Sequence, residues 1–381
     1  MPKRNAIILG FFLLSVPCTV HVVHALPKFS LREGLRCQSC HVNPTGKGMR
    51  NEFGFNYGRE ELTTAKGLDI AEFDEPTGFL SPFLAIGIDS RTQFYHEMNS
   101  GKNSLFQMQG DLSLEMKLNK RLRLLLKKGF YSGAEIAAVG SILPFGGYVK
   151  VGKFTPDYGL RIDDHNAFIR GGPYSVSVLG DSFPNGYSKG LGLGERSEDT
   201  GLEIGFTPWD LTLTLGVFNG TPGNTIAFAP GSAKAIVSRL EYMMKFDEFN
   251  ILVGGSSFSY PATSGAPSKF GMFGGIGIDK DLSILLEYDI VSAEVSNSIR
   301  RGSIFFVEAS YMIVKGYDVR ISYEFYDPDT KLKNGAFTQI SAGVSFFPLP
   351  GVEIYPMVRL FREEPYEINN DQLLVQLHLF L

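Results

Sequence analysis

From about Phe83 to the C-terminus, hydrophobic and polar residues alternate with a period of two, the signature of strands with one apolar and one polar face. Val375, Leu377, Leu379 and Leu381 interleave with Gln376, His378 and Phe380. Leu282, Ile284, Leu286, Tyr288 and Ile290 alternate with Ser283, Glu287 and Asp289, and Tyr317, Val319, Ile321, Tyr323 and Phe325 alternate with Asp318, Arg320, Ser322 and Glu324. The pattern predicts about sixteen strands, with fourteen as the other even count, over 83–97, 104–118, 121–142, 146–155, 172–180, 200–207, 211–218, 234–246, 248–260, 269–279, 281–293, 303–314, 317–327, 336–347, 351–362 and 371–381. A soluble sandwich also alternates, so the links between strands matter. Short ones (Asn119-Lys120, Pro208-Trp209-Asp210, Asp247, Lys280, Lys315-Gly316, Pro348-Leu349-Pro350) alternate with longer ones (181–199, 219–233, 261–268, 294–302, 328–335, 363–370). Tight turns at one rim and long loops at the other are the pattern of a transmembrane antiparallel β-barrel. Closure also removes every sheet edge, as lipid requires.

This all-β reading assigns the faces. Arg123, Lys150, Arg239, Glu241, Lys245, Glu287, Arg320, Glu324 and Arg359 fall on the polar side and are expected to keep a wet lumen. One link breaks the rhythm: Thr155–Gly171 is expected to be a short periplasmic turn, yet it is long. Long ordered connections are often functional, and this one carries Asp163, Asp164 and His165. It is read as a lumen insert, as a miscounted strand or a plain periplasmic loop, or as three candidate metal ligands in a row.

The N-terminus is of another kind. Lys3 and Arg4 precede an apolar run from Ala6 to Val16, and Val23-His24-Ala25 closes the stretch, as in a secretory signal peptide. Cleavage after Ala25 would divide the chain into a signal (1–25), a short segment (26–78) and the barrel (79–381), and would remove Cys18, whose preceding Pro17 suits lipid attachment poorly.

The two remaining cysteines lie in Cys37-Gln38-Ser39-Cys40-His41. C-x-x-C-H is the attachment motif of a c-type haem: two thiols bond the porphyrin, and the adjoining histidine is carried beneath it to ligate iron. The alternatives are a redox dithiol, half of a zinc site or a strained disulfide. Met49, His96, His165 and His378 are the candidates for a distal ligand, with His165 and Met49 foremost. Phe53, Phe55 and Tyr57 could cover a porphyrin or simply anchor the segment. A segment of about 50 residues is small for an independent domain, so it is expected to plug the lumen and pack on the barrel wall.

Composition narrows the rest. The chain has 381 residues, is 44% hydrophobic and carries a formal charge of −4, which excludes disorder and leaves no basic excess for nucleic acid. No apolar run reaches the roughly 18 residues of a membrane helix. No nucleophile elbow, phosphate-cradling loop or zinc-hydrolase motif occurs.

Ala25-Leu26-Pro27-Lys28-Phe29, Gly34-Leu35-Arg36, Cys37 through His41, and Phe53-Gly54 together resemble fused outer-membrane cytochrome–porins, including the outer-membrane cytochromes of iron-oxidising bacteria. The resemblance implies one haem c on Cys37 and Cys40 with His41 as proximal ligand. It further implies electron transfer between an extracellular donor or acceptor, iron(II) favoured, and a periplasmic c-type cytochrome, across outer-membrane lipid. Residues Asn43–Asn51 depart from the pattern of the iron oxidisers, which bears on the electron donor and the direction of flow. A diffusion porin whose haem segment is a plug or sensor is the alternative, and a soluble periplasmic haem enzyme is a third.

Overall fold

The structure, a computed structural model, describes residues 27–64, 78–130, 133–172, 190–194, 197–220, 223, 233–260, 268–295, 298–367 and 369–381. The expected signal peptide lies outside them.

Alternation of apolar and polar residues produces sixteen long antiparallel strands: β2 (Leu84–Glu97), β3 (Asn103–Lys117), β4 (Leu122–Gly129), β5 (Ala134–Gly140), β6 (Tyr148–Phe154), β7 (Asp199–Phe206), β8 (Leu211–Phe218), β9 (Ala235–Lys245), β10 (Phe249–Ser259), β11 (Ser268–Ile278), β12 (Leu282–Val295), β13 (Ser298–Val314), β14 (Tyr317–Asp327), β15 (Phe337–Leu349), β16 (Val352–Glu363) and β17 (Gln372–Phe380). Each pairs with its sequence neighbour, and β17 closes on β2 with Gln372 opposite Glu97 and Phe380 opposite Asp89. A three-residue strand, β1 (Phe79–Ser81), flanks β2. The result is a closed sixteen-strand barrel, so its backbone groups are paired around the whole circumference, which a lipid-facing sheet needs.

The two faces differ as the period of two requires. On β12, Leu286, Tyr288 and Ile290 are exposed outward while Ser283, Glu287 and Asp289 are buried inward; on β8, Leu213, Leu215 and Val217 face out while Thr214 and Phe218 face in.

Two expectations are corrected. The single strand expected over 121–142 is two strands, β4 and β5, with the break between Gly129 and Gly133. The strand expected at 172–180 lies, from 173 onward, outside the described residues. Because β5–β6 and β7–β8 are joined at the short-turn rim (141–147 and 207–210), the chain from Thr155 to Glu198 starts and ends at the opposite, long-loop rim. Thr155–Gly171 is therefore not a periplasmic turn.

The core of this barrel lies in its lumen. Leu31 from the N-terminal segment, Tyr158, Leu160, Ile162, Phe168 and Ile169 from the 155–198 connection, and wall residues such as Phe218, Phe273, Ile304 and Phe306 form one buried cluster.

Candidate functional site

The N-terminal segment docks inside the short-turn rim. Its first helix, α1 (Pro27–Glu33), lies against β10, β11 and β12. Close approach depends on Gly277: a Cβ there would stand 2.5 Å from the Leu31 carbonyl oxygen. Lys28 Nζ meets Asp318 Oδ2 at 2.6 Å, and Arg32 Nη2 donates to Asp318 Oδ1 at 3.0 Å and to the Ser310 carbonyl at 2.7 Å. All three charged side chains are buried. Arg36 Nη1 donates to the Thr207 carbonyl at 2.8 Å, Asn250 Nδ2 to the Arg32 carbonyl at 3.2 Å, and Phe29, Tyr57 and Leu62 pack on Phe347. The expected plug is thus observed, as is the anchoring role of Tyr57.

Cys37–Ser39 make one 3-10 turn, and the amides of both Cys40 and His41 donate to the Cys37 carbonyl at 3.2 Å. That turn brings the two thiols and the imidazole together. No disulfide joins the cysteines. Burial pushes the Cys37 thiol up, and Arg161, whose Nη2 donates to Cys37 Sγ at 3.4 Å, opposes this only in part. Burial also pushes Cys40 up, with Cys37 adding to it. Redox dithiols need an exposed, acidified thiol, and burial pushes both of these the other way. Among the described residues no group of three or more His, Cys, Asp or Glu could hold a metal ion.

After His41 the chain forms a small hairpin. Val42 N donates to the Met49 carbonyl at 3.2 Å and Asn51 N to the Cys40 carbonyl at 2.7 Å, flanking His41 paired opposite Arg50. His41 Nδ1 lies 3.2 Å from the Gly48 carbonyl. A carbonyl on Nδ1 is the usual means of fixing the ring of a histidine that ligates metal through Nε2. Asn51 then caps α2 (Glu52–Glu60), accepting from Gly54 N at 2.9 Å while its Nδ2 donates to the Ser39 carbonyl at 2.9 Å. Gly54 is required beneath the motif: a Cβ there would lie 2.4 Å from the Cys40 carbonyl oxygen.

Two hollows border His41. One, of about 590 Å³, is also bordered by Cys40, Arg50, Tyr57 and His378. The other, of about 670 Å³, is also bordered by Cys37, Arg50, Arg161 and His165. His165, distant in sequence, thus shares a hollow with His41. Met49 borders neither; it packs with Val42 and Ala85 against the wall at Gly87. His378 is held between Glu353 Oε2 at 3.0 Å and Asp89 Oδ1 at 3.1 Å. His96, near the far end of β2, pairs with Asn103 across β3 and borders neither hollow. Phe53 and Phe55 border neither hollow; Phe55 packs edge-on against Phe79.

The described part of the 155–198 connection that follows β6, residues 155–172, folds into the lumen above this segment. Tyr158 Oη donates to Asp289 at 2.8 Å, Leu160 N to Glu287 at 2.6 Å and Phe168 N to Glu324 at 2.7 Å. Asp157 pairs with Arg161 at 2.7 Å, Asp163 with Arg91 at 2.6 Å, and Asp164 with Arg359. Burial alone would raise all three carboxyls, but their guanidinium partners overrule it and hold each below the usual carboxylate range. Asp163 and Asp164 engage different arginines, so the triple-ligand metal reading does not fit. Of the residues expected to face the lumen, Lys150, Arg239, Glu287, Glu324 and Arg359 are at most 3% exposed, whereas the Arg123 and Lys245 side chains are 29% and 44% exposed. Sequence reasoning missed this network, although the density of Asp and Arg in 157–170 was its signal.

No family model and no curated protein matches the chain significantly. Solved outer-membrane proteins do match its structure. Pseudomonas putida OprB is 8% identical, covering 78% of this chain and 94% of that one, with a TM-score of 0.56. Salmonella typhi OmpF is 11% identical over 78% and 97%, with a TM-score of 0.55. A loop-deletion form of Vibrio cholerae OmpT is 13% identical over 78% and 99%, with a TM-score of 0.53. What this chain has in common with them is the fold, a sixteen-strand barrel of the outer-membrane porin type.

Proposed function

We propose that the protein is an outer-membrane electron conduit in which one haem is bonded to Cys37 and Cys40 and held by His41 through Nε2. The observation that carries this reading is the C-x-x-C-H turn inside the lumen, with Nδ1 of His41 fixed on the Gly48 carbonyl and a hollow on either side. When bound, the haem supplies one-electron transfer. The chain's own residues orient the imidazole, and the 155–198 connection excludes water. His165 is the favoured distal ligand because it borders a hollow with His41; the packing of Met49 on Gly87 disfavours it. A periplasmic c-type cytochrome would approach the short-turn rim, and an extracellular donor, iron(II) by the resemblance described above, the long-loop rim. One haem does not span the membrane depth, so a partner must complete the path. Haem stain retained on a denaturing gel, lost in Cys37→Ala/Cys40→Ala, is the expected result; stain that survives the double change contradicts the assignment.

A second reading is a diffusion porin with a lumenal plug, favoured by the porin fold. Its test is a planar bilayer. Steady ion conductance, with no haem signal that external reductants can reach, would select it.

A further inference from the structure

Arg50 stands apart from the other lumenal arginines. Arg32, Arg91, Arg161, Arg239, Arg320 and Arg359 each pair with a carboxylate. Arg50 makes no ion pair or side-chain hydrogen bond among the described residues; its guanidinium lies over the Phe380 ring, 4.1 Å from the centroid. Asp89 and Asp163 attract this guanidinium without bonding it, and burial outweighs their pull.

Its position is set by the hairpin. The bonds from Val42 to Met49 and from Asn51 to Cys40 bracket the His41–Arg50 pair, which makes it a non-hydrogen-bonded antiparallel pair. Such pairs have the closest side chains, with Cα atoms about 4.5 Å apart, and both project from the same face. Val42 and Met49, one step along, turn the other way onto the wall. Arg50 consequently borders both hollows beside His41. A fixed fork of donors, stacked on an aromatic ring and with no carboxylate bonded to it, is suited to receive a carboxylate bidentately.

We propose that Arg50 is the anion-binding arm of the His41 site, taking a propionate carboxylate of the porphyrin bonded at Cys37 and Cys40. This rests on the haem reading of the preceding section. Arg50 is a positioning and charge-compensating residue. Removing it leaves the propionate charge uncompensated near iron and favours the oxidised state.

The experiment is a redox titration of detergent-solubilised full-length protein, wild type against Arg50→Gln and Arg50→Lys, with covalent haem measured on each. Arg50→Gln should keep full haem but shift the equilibrium about tenfold toward the oxidised form, about 59 mV for one electron. Arg50→Lys, which keeps the charge but loses the fork, should shift it about threefold in the same direction, and this decides the matter if Arg50→Gln does not assemble. Full haem with an unchanged potential in whichever variants assemble overturns the assignment. A wild-type potential that moves with added acetate at constant ionic strength would put a soluble anion at Arg50 and also overturn it. Absence of covalent haem from the wild type would instead sink the haem reading itself, and the Arg50 assignment with it.

Discussion

The two inserts that fill the lumen dock with opposite signs of charge. The N-terminal segment brings cations, Lys28 and Arg32, to a wall carboxylate, Asp318. The 155–198 connection brings carboxylates, Asp163 and Asp164, to wall arginines, Arg91 and Arg359. Buried ion pairs contribute little net stability, but leaving one member unpaired is costly. Each insert is therefore matched to its own zone of the wall, and exchanging them would bury like charges together. They meet at Arg161, which pairs with Asp157 and donates to the Cys37 sulfur.

The largest expected effect comes from Asp318→Asn, which strands two buried cations and should weaken docking of the N-terminal segment by about 3–5 kcal/mol. Limited proteolysis should then cut between residues 27 and 64 while leaving 155–172 protected. Simultaneous cleavage of both would mean that the inserts form one cooperative unit. Arg359→Gln should act on the other side of the comparison and more weakly, because Asp164 is 23% exposed. A cost of about 1–3 kcal/mol is expected, typical of a buried polar group left unsatisfied, visible as faster hydrogen exchange around Asp164 and unchanged protection of α1.

Acid should separate the inserts without mutation. The folded-state carboxyls of Asp157, Asp163 and Asp164 lie below their ordinary value. Their contribution to stability is complete above about pH 3.9 and is lost as pH falls through the depressed values. Glu33 in α1 goes the other way: burial pushes its carboxyl up, against Lys280. Its contribution is complete below about pH 4.3 and is lost as pH rises through its elevated value. Exchange measured from pH 7 to pH 3 should show the connection loosening below about pH 4 while α1 does not loosen. The smallest effect is that of Asn51→Ala, which removes the cap of α2 at a cost of about 1 kcal/mol, seen as a small drop in protection of 52–60.

The wall was legible because its code is local. Alternation alone located β8, β12, β14 and β17 within a residue or two at most of their ends. It ran β4 and β5 together because Leu122–Lys128 and Ala134–Gly140 are both strand-like, and Gly129 and Gly133 were not taken as the turn between them. That merger moved Thr155–Gly171 to the wrong rim. Inside the lumen, the Cys37–His41 motif was legible as a fixed spacing. The partners Asp318, Arg91 and Arg359 were not, because pairing between residues 72 to 290 positions apart depends on barrel closure. Mixed charges on the inner face read as a wet channel, whereas the inserts bury several of them, Lys150, Arg239 and Arg359 included.

The central claim is that this lumen holds a redox group rather than a path for solutes. The most direct test is an optical spectrum of purified full-length protein, oxidised and then reduced, together with the intact mass of the denatured chain. The account predicts a reversible c-type haem spectrum and a mass increased by one covalently bound haem. A chain of unmodified mass with no haem absorbance would contradict it.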